Sequence, residues 1–304
     1  MGKVVVLGVF VADAAFRSDR MPRMGETVLG ESFSLGPGGK GSNQAVASAR
    51  IGAETHFLTR LGQDAFADMA GQVWEDAGVI AHVKTDPDSY TGAAFIYVDD
   101  ATGENAIIRA PGAAARINAE DMQDKADVIM GADVFVTQLE QPLAAAMQGL
   151  QIARESGVTT ILNPAPAAKL HAEMLALCDY VTPNETETEA LTGVTVVSTA
   201  DAEAASARLI EMGVGRPIIT LGERGAYLYG HGLVPAVIAG PVVETTGAGD
   251  AFNGGFAAAL SRGVDPVDAV RIGCATAGVS VTRPGAAASM PHWAEVEPLL
   301  RDTA

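Results

Sequence analysis

The sequence predicts an α/β fold in which a mainly parallel central sheet is flanked by helices and joined by a small antiparallel β lid. Three observations predict it. Lys3 to Val11 is a Val/Leu run bounded by glycine and acid, the pattern of a strand buried on both faces. From Asp121 onward, helical and strand patterns take turns, which gives a mainly parallel sheet. Between these two regions, Tyr90 to Arg109 reads as two strands joined by a Gly-containing turn, a hairpin. With a chain of 304 residues, one large domain plus an appendage is expected: a single domain over 1–304 with a lid formed by about 14–36 and 90–110.

The elements follow in order. Asp13 comes after the opening strand, where ligands lie in open α/β sheets, so it is either a ligand contact or a turn residue. Arg17 to Ser34 is polar and irregular, with a short strand expected near Thr27 to Phe33. Gly36-Pro-Gly-Gly-Lys-Gly-Ser-Asn43 leads into an alanine-rich helix, Gln44 to Ile51. This stretch fails as a P-loop because Ser34 stands at the first glycine position, and its match to the dinucleotide fingerprint does not close the first strand. Its glycines let the backbone approach a small polar ligand, while Lys40 and Asn43 offer donors to hydroxyl groups. Thr55 to Leu61 is a second buried strand, Ala65 to Gly78 a helix ending in a glycine cap, and Val79 to Val83 a further strand. The expected helix–strand pairs are then Asp121 to Met130 with Asp133 to Leu139, Leu143 to Ser156 with Thr159 to Leu162, and Ala167 to Leu177 with Tyr180 to Thr182. After the helix Ala202 to Met212 come strands at Pro217 to Leu221, Tyr227 to Tyr229 and Leu233 to Val237. Helical Phe252 to Leu260 and Pro266 to Val281 complete the pattern, and Arg283 to Ser289 is a closing loop.

Composition narrows the function. Apolar residues make up 48% and charged residues 19%, as in globular proteins, and no apolar run approaches the roughly 20 residues of a membrane span. The amino-terminal apolar stretch is too short for a secretory signal, so a cytoplasmic protein with no membrane partner is expected. Cys178 and Cys274 each lie in an apolar segment and read as core residues. A net charge of −17 excludes a nucleic-acid partner, which needs a basic surface, but leaves a nucleotide open, since local N–H groups and a magnesium ion can hold one small polyanion.

The chemistry concentrates in Glu244 to Gly255, Glu-Thr-Thr-Gly-Ala-Gly-Asp-Ala-Phe-Asn-Gly-Gly. Gly247 and Gly249 allow the N–H groups of Ala248, Gly249 and Asp250 to converge on one point, and the following helix aims its positive end there, as stabilisation of a phosphoryl group requires. Asp250 is then either a base or an N-cap. Polar residues also stand at three strand ends, in Gln138-Leu-Glu140, Asn163-Pro-Ala-Pro and Pro183-Asn184-Glu-Thr-Glu187. Asn184 and Glu187, three apart at a helix start, can share a hydrated magnesium or simply cap the helix.

Taken together, Gly38-Gly-Lys-Gly-Ser-Asn43-Gln-Ala, Gln138-Leu-Glu140, Asn163-Pro-Ala-Pro-Ala, Thr182-Pro-Asn-Glu-Thr-Glu187, Thr220-Leu-Gly-Glu-Arg-Gly225 and Thr246-Gly-Ala-Gly-Asp250 resemble, in this order, the ribokinase branch of the PfkB sugar kinases. The resemblance spans nearly the whole chain and implies ATP-dependent phosphorylation of a sugar hydroxyl, with ribose the first expectation. It implies Asp250 as the base and the N–H groups of Gly247, Ala248 and Gly249 as an anion hole. Asp13, Gly39, Lys40, Asn43 and Glu140 would hold the sugar. Asn184, Thr220, Gly222, Gly225, Gly249 and Cys274 would line the nucleotide site, and Glu187 would orient magnesium through water. A potassium ion is implied beside Glu244, Thr246, Ser280, Arg283, Gly285 and Ser289, and a homodimer through the lid. Three departures stand out: Val11 occupies the place of an asparagine that contacts the sugar, Glu244 that of an aspartate, and Cys274 that of a residue often polar near the adenine. Other expectations are a same-fold kinase for a ketohexose, a modified sugar or a nucleoside, and a sugar- or nucleotide-binding regulator without turnover.

Overall fold

The computed structural model describes residues 1–301, so the last three residues of the expected 1–304 domain lie outside the described residues. Strand β1 (Lys3–Leu7) is buried as its composition demands, but it stops at Gly8 instead of running to Val11. A Cβ on Gly8 would stand 2.5 Å from Gln138 Oε1 and 2.6 Å from the Gly41 Cα, so the chain leaves the sheet where only glycine fits. Val11 therefore begins a new strand, β2 (Val11–Ser18), in a second sheet, and Asp13 sits on that strand rather than at the end of the first.

The strand expected at Thr27 to Phe33 is displaced to β3 (Ser32–Gly38), whose register with β2 runs from Val11 opposite Gly38 to Arg17 opposite Ser32. Pairing with β2 outweighs local propensity there. Helix α1 (Lys40–Arg50) starts four residues before the expected Gln44, because Gly39, at φ 90, supplies the entry turn. Then come β4 (Glu54–Leu61), α2 (Ala65–Ala77), β5 (Ile80–Thr85), β6 (Thr91–Asp99) and β7 (Asn105–Gly112). Asp64 caps α2 by accepting from Phe66 and Ala67 N–H, and Gly78 ends it at φ 75.

The helix expected over Asp121 to Met130 is two short ones, α3 (Ala119–Gln123) and α4 (Ala126–Met130), separated where Lys125 leaves helical angles. Strand β8 (Val134–Thr137), helix α5 (Leu143–Glu155) and strand β9 (Thr159–Leu162) follow. Helix α6 (Ala172–Leu175) is shorter than Ala167 to Leu177. Next are β10 (Tyr180–Val181), α7 (Glu185–Thr192), α8 (Thr199–Glu211), β11 (Arg216–Thr220), β12 (Ala226–Leu228) and β13 (Gly232–Val234). Helix α9 (Ala248–Ser261) begins four residues before Phe252, and α10 (Pro266–Ser280) precedes α11 (Trp293–Arg301), which the sequence pattern did not anticipate.

Nine strands form one sheet in the order β13-β12-β11-β10-β9-β8-β1-β4-β5, parallel except that β12 runs antiparallel to both its neighbours. The order reverses direction between β1 and β8, so the crevice for a ligand lies beyond the carboxyl ends of those two strands. One apolar cluster, with Phe57, Trp74 and Phe256, packs α1, α2, α9 and α10 on one face; another, with Ile129, Phe135 and Leu150, packs α4 and α5 on the other. The second sheet has four strands, β3-β2-β6-β7, in which β2 and β6 run parallel and the outer pairs antiparallel. Among the described residues no helix is long and apolar enough to cross a membrane.

Candidate active site

The site is assembled by the approach of α1 to α9. A Cβ on Gly254 would stand 2.4 Å from the Ala47 Cβ and 2.7 Å from the Gln44 carbonyl oxygen, so glycine lets the two helices touch. That contact sets Asn43 and Gln44 beside Asp250. Asp250 Oδ2 accepts from Asn43 Nδ2 at 2.9 Å and Oδ1 accepts from Gln44 Nε2 at 3.0 Å. The cap of α9 is Gly247, at φ 79, with no side-chain hydrogen bond, so Asp250 lies inside the first turn and does not serve as N-cap. Burial, with only 5% of the residue exposed, pushes its carboxyl above the ordinary range against the pull of Lys40, Asn43 and Gln44.

Of the three N–H groups expected to converge, that of Ala248 turns back to the Thr245 carbonyl at 3.1 Å. Those of Gly249 and Asp250 have no acceptor among the described residues and stand at the positive end of α9.

A run of hydrogen bonds ties this turn to the strand ends. Gln138 Nε2 donates to Gln44 Oε1 at 2.7 Å, and Gln44 Nε2 also reaches Asn163 Oδ1 at 3.1 Å. Asn163 Nδ2 donates to the Thr182 carbonyl at 3.2 Å, Thr182 Oγ1 to Asn253 Oδ1 at 2.7 Å, and Asn253 Nδ2 to the Gly249 carbonyl at 2.8 Å. Gln138 after β8 and Asn163 after β9 thus help to orient α1 and α9.

Above this floor sits the four-stranded sheet. The Lys40 N–H donates to Glu140 Oε2 at 2.7 Å, and Arg109 of β7 pairs with Glu140 Oε1 at 2.9 Å. Burial raises the Glu140 carboxyl, opposed by Arg109 and Lys40. Asp13 is pushed up to about 6 by burial and then by Glu140, with Arg109 pulling the other way. Its carboxylate lies against Gly38, where a Cβ would be 1.9 Å from Oδ2, which is why the chain needs glycine there. Gly39 is equally confined, its Cβ position 2.5 Å from the Val9 carbonyl oxygen. Burial works against the charge of Lys40, but Asp250, Glu140 and Glu187 together outweigh it and raise its pKa.

Asn184 and Glu187 form a capping box on α7: Asn184 Oδ1 accepts from the Glu187 N–H at 2.8 Å, and Glu187 Oε2 from the Asn184 N–H at 2.9 Å. Glu187 is nevertheless buried, raised by that burial, and within electrostatic reach of Lys40 and Asp250, so it borders the site as well as capping the helix. Thr220, at the end of β11, donates its N–H to the Pro183 carbonyl at 2.9 Å. Gly222 and Gly225 take φ 55 and 106, and a Cβ on Gly225 would be 2.1 Å from the Val234 carbonyl oxygen. Cys274 is buried in α10, its thiol pushed up to about 12; Cys178 is likewise free and buried.

Glu244 Oε2 accepts from the Gly285 N–H at 2.9 Å, which draws two of the segments named for potassium together. Arg283 Nε donates to the Ser289 carbonyl at 2.9 Å and its Nη atoms reach Glu295. The Ser280 and Ser289 hydroxyls donate to the Ala277 and Ala286 carbonyls within their own turns, and Thr246 is exposed just before Gly247. Among the described residues no group of three or more His, Cys, Asp or Glu side chains is placed to hold a metal ion.

Three residues of the site were not singled out from the sequence: Gln44, Asn253 and Arg109. Asn253 is legible in hindsight, three residues after Asp250 and so on the same helical side. Gln44 and Arg109 depend on contacts with residues more than thirty positions away, which no local pattern encodes.

Comparison with known proteins accords with this geometry. A sequence model of the pfkB family carbohydrate kinases matches residues 1–293. A ribokinase of Haemophilus influenzae is 38% identical over 292 residues, 95% of either chain, and a deoxyribokinase of Salmonella typhimurium is 35% identical over the same share of each. Among solved structures, Arabidopsis thaliana ribokinase complexed with ribose and ATP superposes with a TM-score of 0.94 at 31% identity, covering 99% of both chains.

Proposed function

The chain belongs to the pfkB family of carbohydrate kinases and is an ATP-dependent sugar kinase, and from that premise we propose that it transfers the γ-phosphoryl of ATP to the 5-hydroxyl of ribose, with Asp250 as the base. The observation that carries the reading is Asp250 itself: a buried carboxylate in the first turn of α9, fixed by Asn43 and Gln44, beside two N–H groups with no acceptor.

Burial raises the basicity of Asp250, which brings its pKa toward the working pH where a general base is most effective. Asp250 takes the proton of the attacking hydroxyl, while the N–H groups of Gly249 and Asp250 and the end of α9 meet the charge on the transferred phosphoryl oxygens. Lys40, held charged by the surrounding carboxylates, adds to that field. Asp13 and Glu140 accept from sugar hydroxyls; Asn43 donates to Asp250 through Nδ2 and keeps a buried, unpartnered Oδ1 as an acceptor. The backbone of Gly39 admits the sugar ring. Asn184, Thr220, Gly222 and Gly225 line the nucleotide on the side of β10 and β11, and Cys274 lies on the adenine side.

Glu187 fits a role toward magnesium, because it is a buried carboxylate facing Lys40 and Asp250 with only Oε2 spent on the capping box. Magnesium, when bound to ATP, draws charge from the β- and γ-phosphates. The pairing of Glu244 with Gly285 fits a potassium site formed largely by backbone carbonyls of 244–246 and 280–289, although the Ser289 carbonyl is already engaged by Arg283.

The four-stranded sheet acts as the lid, and its outer face supports a homodimer. Phe16 and Phe33 are 41% and 57% exposed there, with ring centroids 4.8 Å apart and the Phe95 ring tilted against Phe16 at 5.6 Å, an apolar surface that a second copy would cover. The free, buried thiols suit the reducing cytoplasm.

The test is ADP release from ATP and magnesium across pentoses, hexoses, modified sugars and nucleosides, with and without potassium. Preference for ribose, with stimulation by potassium, is the expected result. Preference for another compound keeps the mechanism and moves the substrate; silence across the panel leaves a binding protein without turnover.

A further inference from the structure

The inner face of the four-stranded sheet carries, in Arg109, a cation that no step proposed for the reaction uses. Asp13 pairs across β2 and β6 with Ala94, and Ala94 across β6 and β7 with Arg109, so the three occupy one rung and point to the same side. Because the middle member is alanine, the Arg109 side chain passes over it toward the site. Arg109 there pairs with Glu140, which in turn accepts from the first N–H of α1.

Only Nη1 of the guanidinium is spent on Glu140. Nε and Nη2 are buried and have no partner among the described residues. These two atoms form one edge of the planar group, with parallel N–H bonds that match two acceptor oxygens side by side. A buried guanidinium edge left empty calls for an explanation. No side chain on the rung supplies an acceptor, since Asp13 lies against Gly38 on the far side of Ala94. Val11, on the same face two residues before Asp13, has no polar atom to offer a sugar.

Resting on the assignment of this site to a sugar hydroxyl acceptor, the geometry points to Arg109 as a specificity residue that reads a vicinal pair of sugar hydroxyls through its Nε and Nη2 edge. A substrate carboxylate would match the same edge, but Asp13 and Glu140 already place negative charge beside it, so a neutral diol is the better occupant. Glu140 holds the guanidinium plane in position, and the lid strand β7 brings the reading group to the substrate. In a pentofuranose phosphorylated at O5, the 2-hydroxyl belongs to both remaining vicinal pairs. Its removal therefore tests the proposal whichever pair is bound.

The experiment measures kcat/KM of the wild type, Arg109→Leu and Arg109→Lys with ribose and with 2-deoxyribose, alongside thermal melts. The wild type should favour ribose, and in Arg109→Leu the ribose value should fall about 100-fold, mostly through KM, with a much smaller loss on 2-deoxyribose. Arg109→Lys keeps the charge toward Glu140 but lacks the two-pronged edge; it should lose the preference in the same way, and it carries the test if the leucine variant fails to fold. Equal losses on both sugars in a wild type that turns both over would overturn the assignment of Arg109 alone, leaving it a brace between the sheet and Glu140. Turnover of no pentose at all would overturn the ribose reading and this assignment with it.

Discussion

Asp250 stands in the floor of the site with both carboxylate oxygens bonded to side chains of α1, and a run of further bonds reaches through Gln44, Asn163 and Thr182 to Asn253. Arg109, in the sheet above, pairs through one nitrogen and leaves two empty, while Asp13 is held at about 6 and the outer face of its strand exposes Phe16. In the floor the carboxylate of the base is bonded through both oxygens before any substrate arrives; in the sheet the guanidinium is not. The difference assigns rigid positioning of the reacting groups to the nine-stranded sheet and its helices, and reading of the sugar to the smaller sheet, whose unfilled groups gain most when a substrate binds.

The largest expected effect breaks the floor chemically. Asp250→Asn removes the base but keeps the shape, so kcat should fall roughly 100-fold or more while sugar and ATP still bind. Single-turnover phosphorylation and calorimetric titration of each substrate separate the two. Near-normal turnover would take the base role away from Asp250 and with it the contrast between the walls.

The next breaks the floor mechanically. Gly254→Ala places a methyl group against Ala47 and the Gln44 carbonyl and forces α1 from α9, which should destabilise the fold by about 1–3 kcal/mol. Because Gln44 moves with α1, kcat should drop too. A variant with the stability of the wild type would mean that the helices yield at no cost and the floor is not rigid.

How far the sequence discloses these walls depends on the range of the interaction. Gly78 ending α2 and the strand Thr159–Leu162 were legible because cap and burial patterns are local. The Gly-x-Gly-Asp turn was legible for the same reason, as was the box of Asn184 and Glu187. The break at Gly8 was not, since it is enforced by Gln138 and Gly41 meeting the chain from elsewhere. Nor was the position of Asp13, which follows from β2 pairing with β6 some eighty residues on. Gln44 looked like one more helix residue until α9 was packed against it.

A smaller effect concerns the charge of the sheet. A carboxyl whose native pKa of about 6 exceeds its ordinary 3.8 binds more protons folded than unfolded between those values. Stability from that group is therefore full below the ordinary value, is lost as pH rises toward 6, and stays lost above it. Asp13→Asn removes the ionised form and should stabilise the free enzyme at pH 8 by about 1–2 kcal/mol, a gain that vanishes near pH 4, in urea unfolding curves. Activity on the sugar should fall at the same time, because the amide offers hydroxyls one neutral accepting oxygen where the carboxylate offers two charged ones. Equal stability of the two proteins at both pH values would show the sheet to be as well satisfied as the floor.

The smallest expected effect sharpens the comparison within the sheet itself. Val11 is 3% exposed and, by the alternation of β2, faces the same side as Asp13. Val11→Asn gives that face a donor and an acceptor, so kcat/KM for ribose should rise by about threefold, through KM, because a contact made equally in ground and transition states lowers KM alone. The free enzyme should lose about 1 kcal/mol, since the amide is buried without a partner until the sugar supplies one. Combined with Arg109→Leu, the substitution becomes diagnostic. If asparagine and arginine contact the same sugar hydroxyls, the gain from Val11→Asn should be larger when Arg109 is gone than when it is present, a coupling read from the four kcat/KM values. Strict additivity would mean that the two positions meet different parts of the substrate, and that β7 reads the sugar independently of β2.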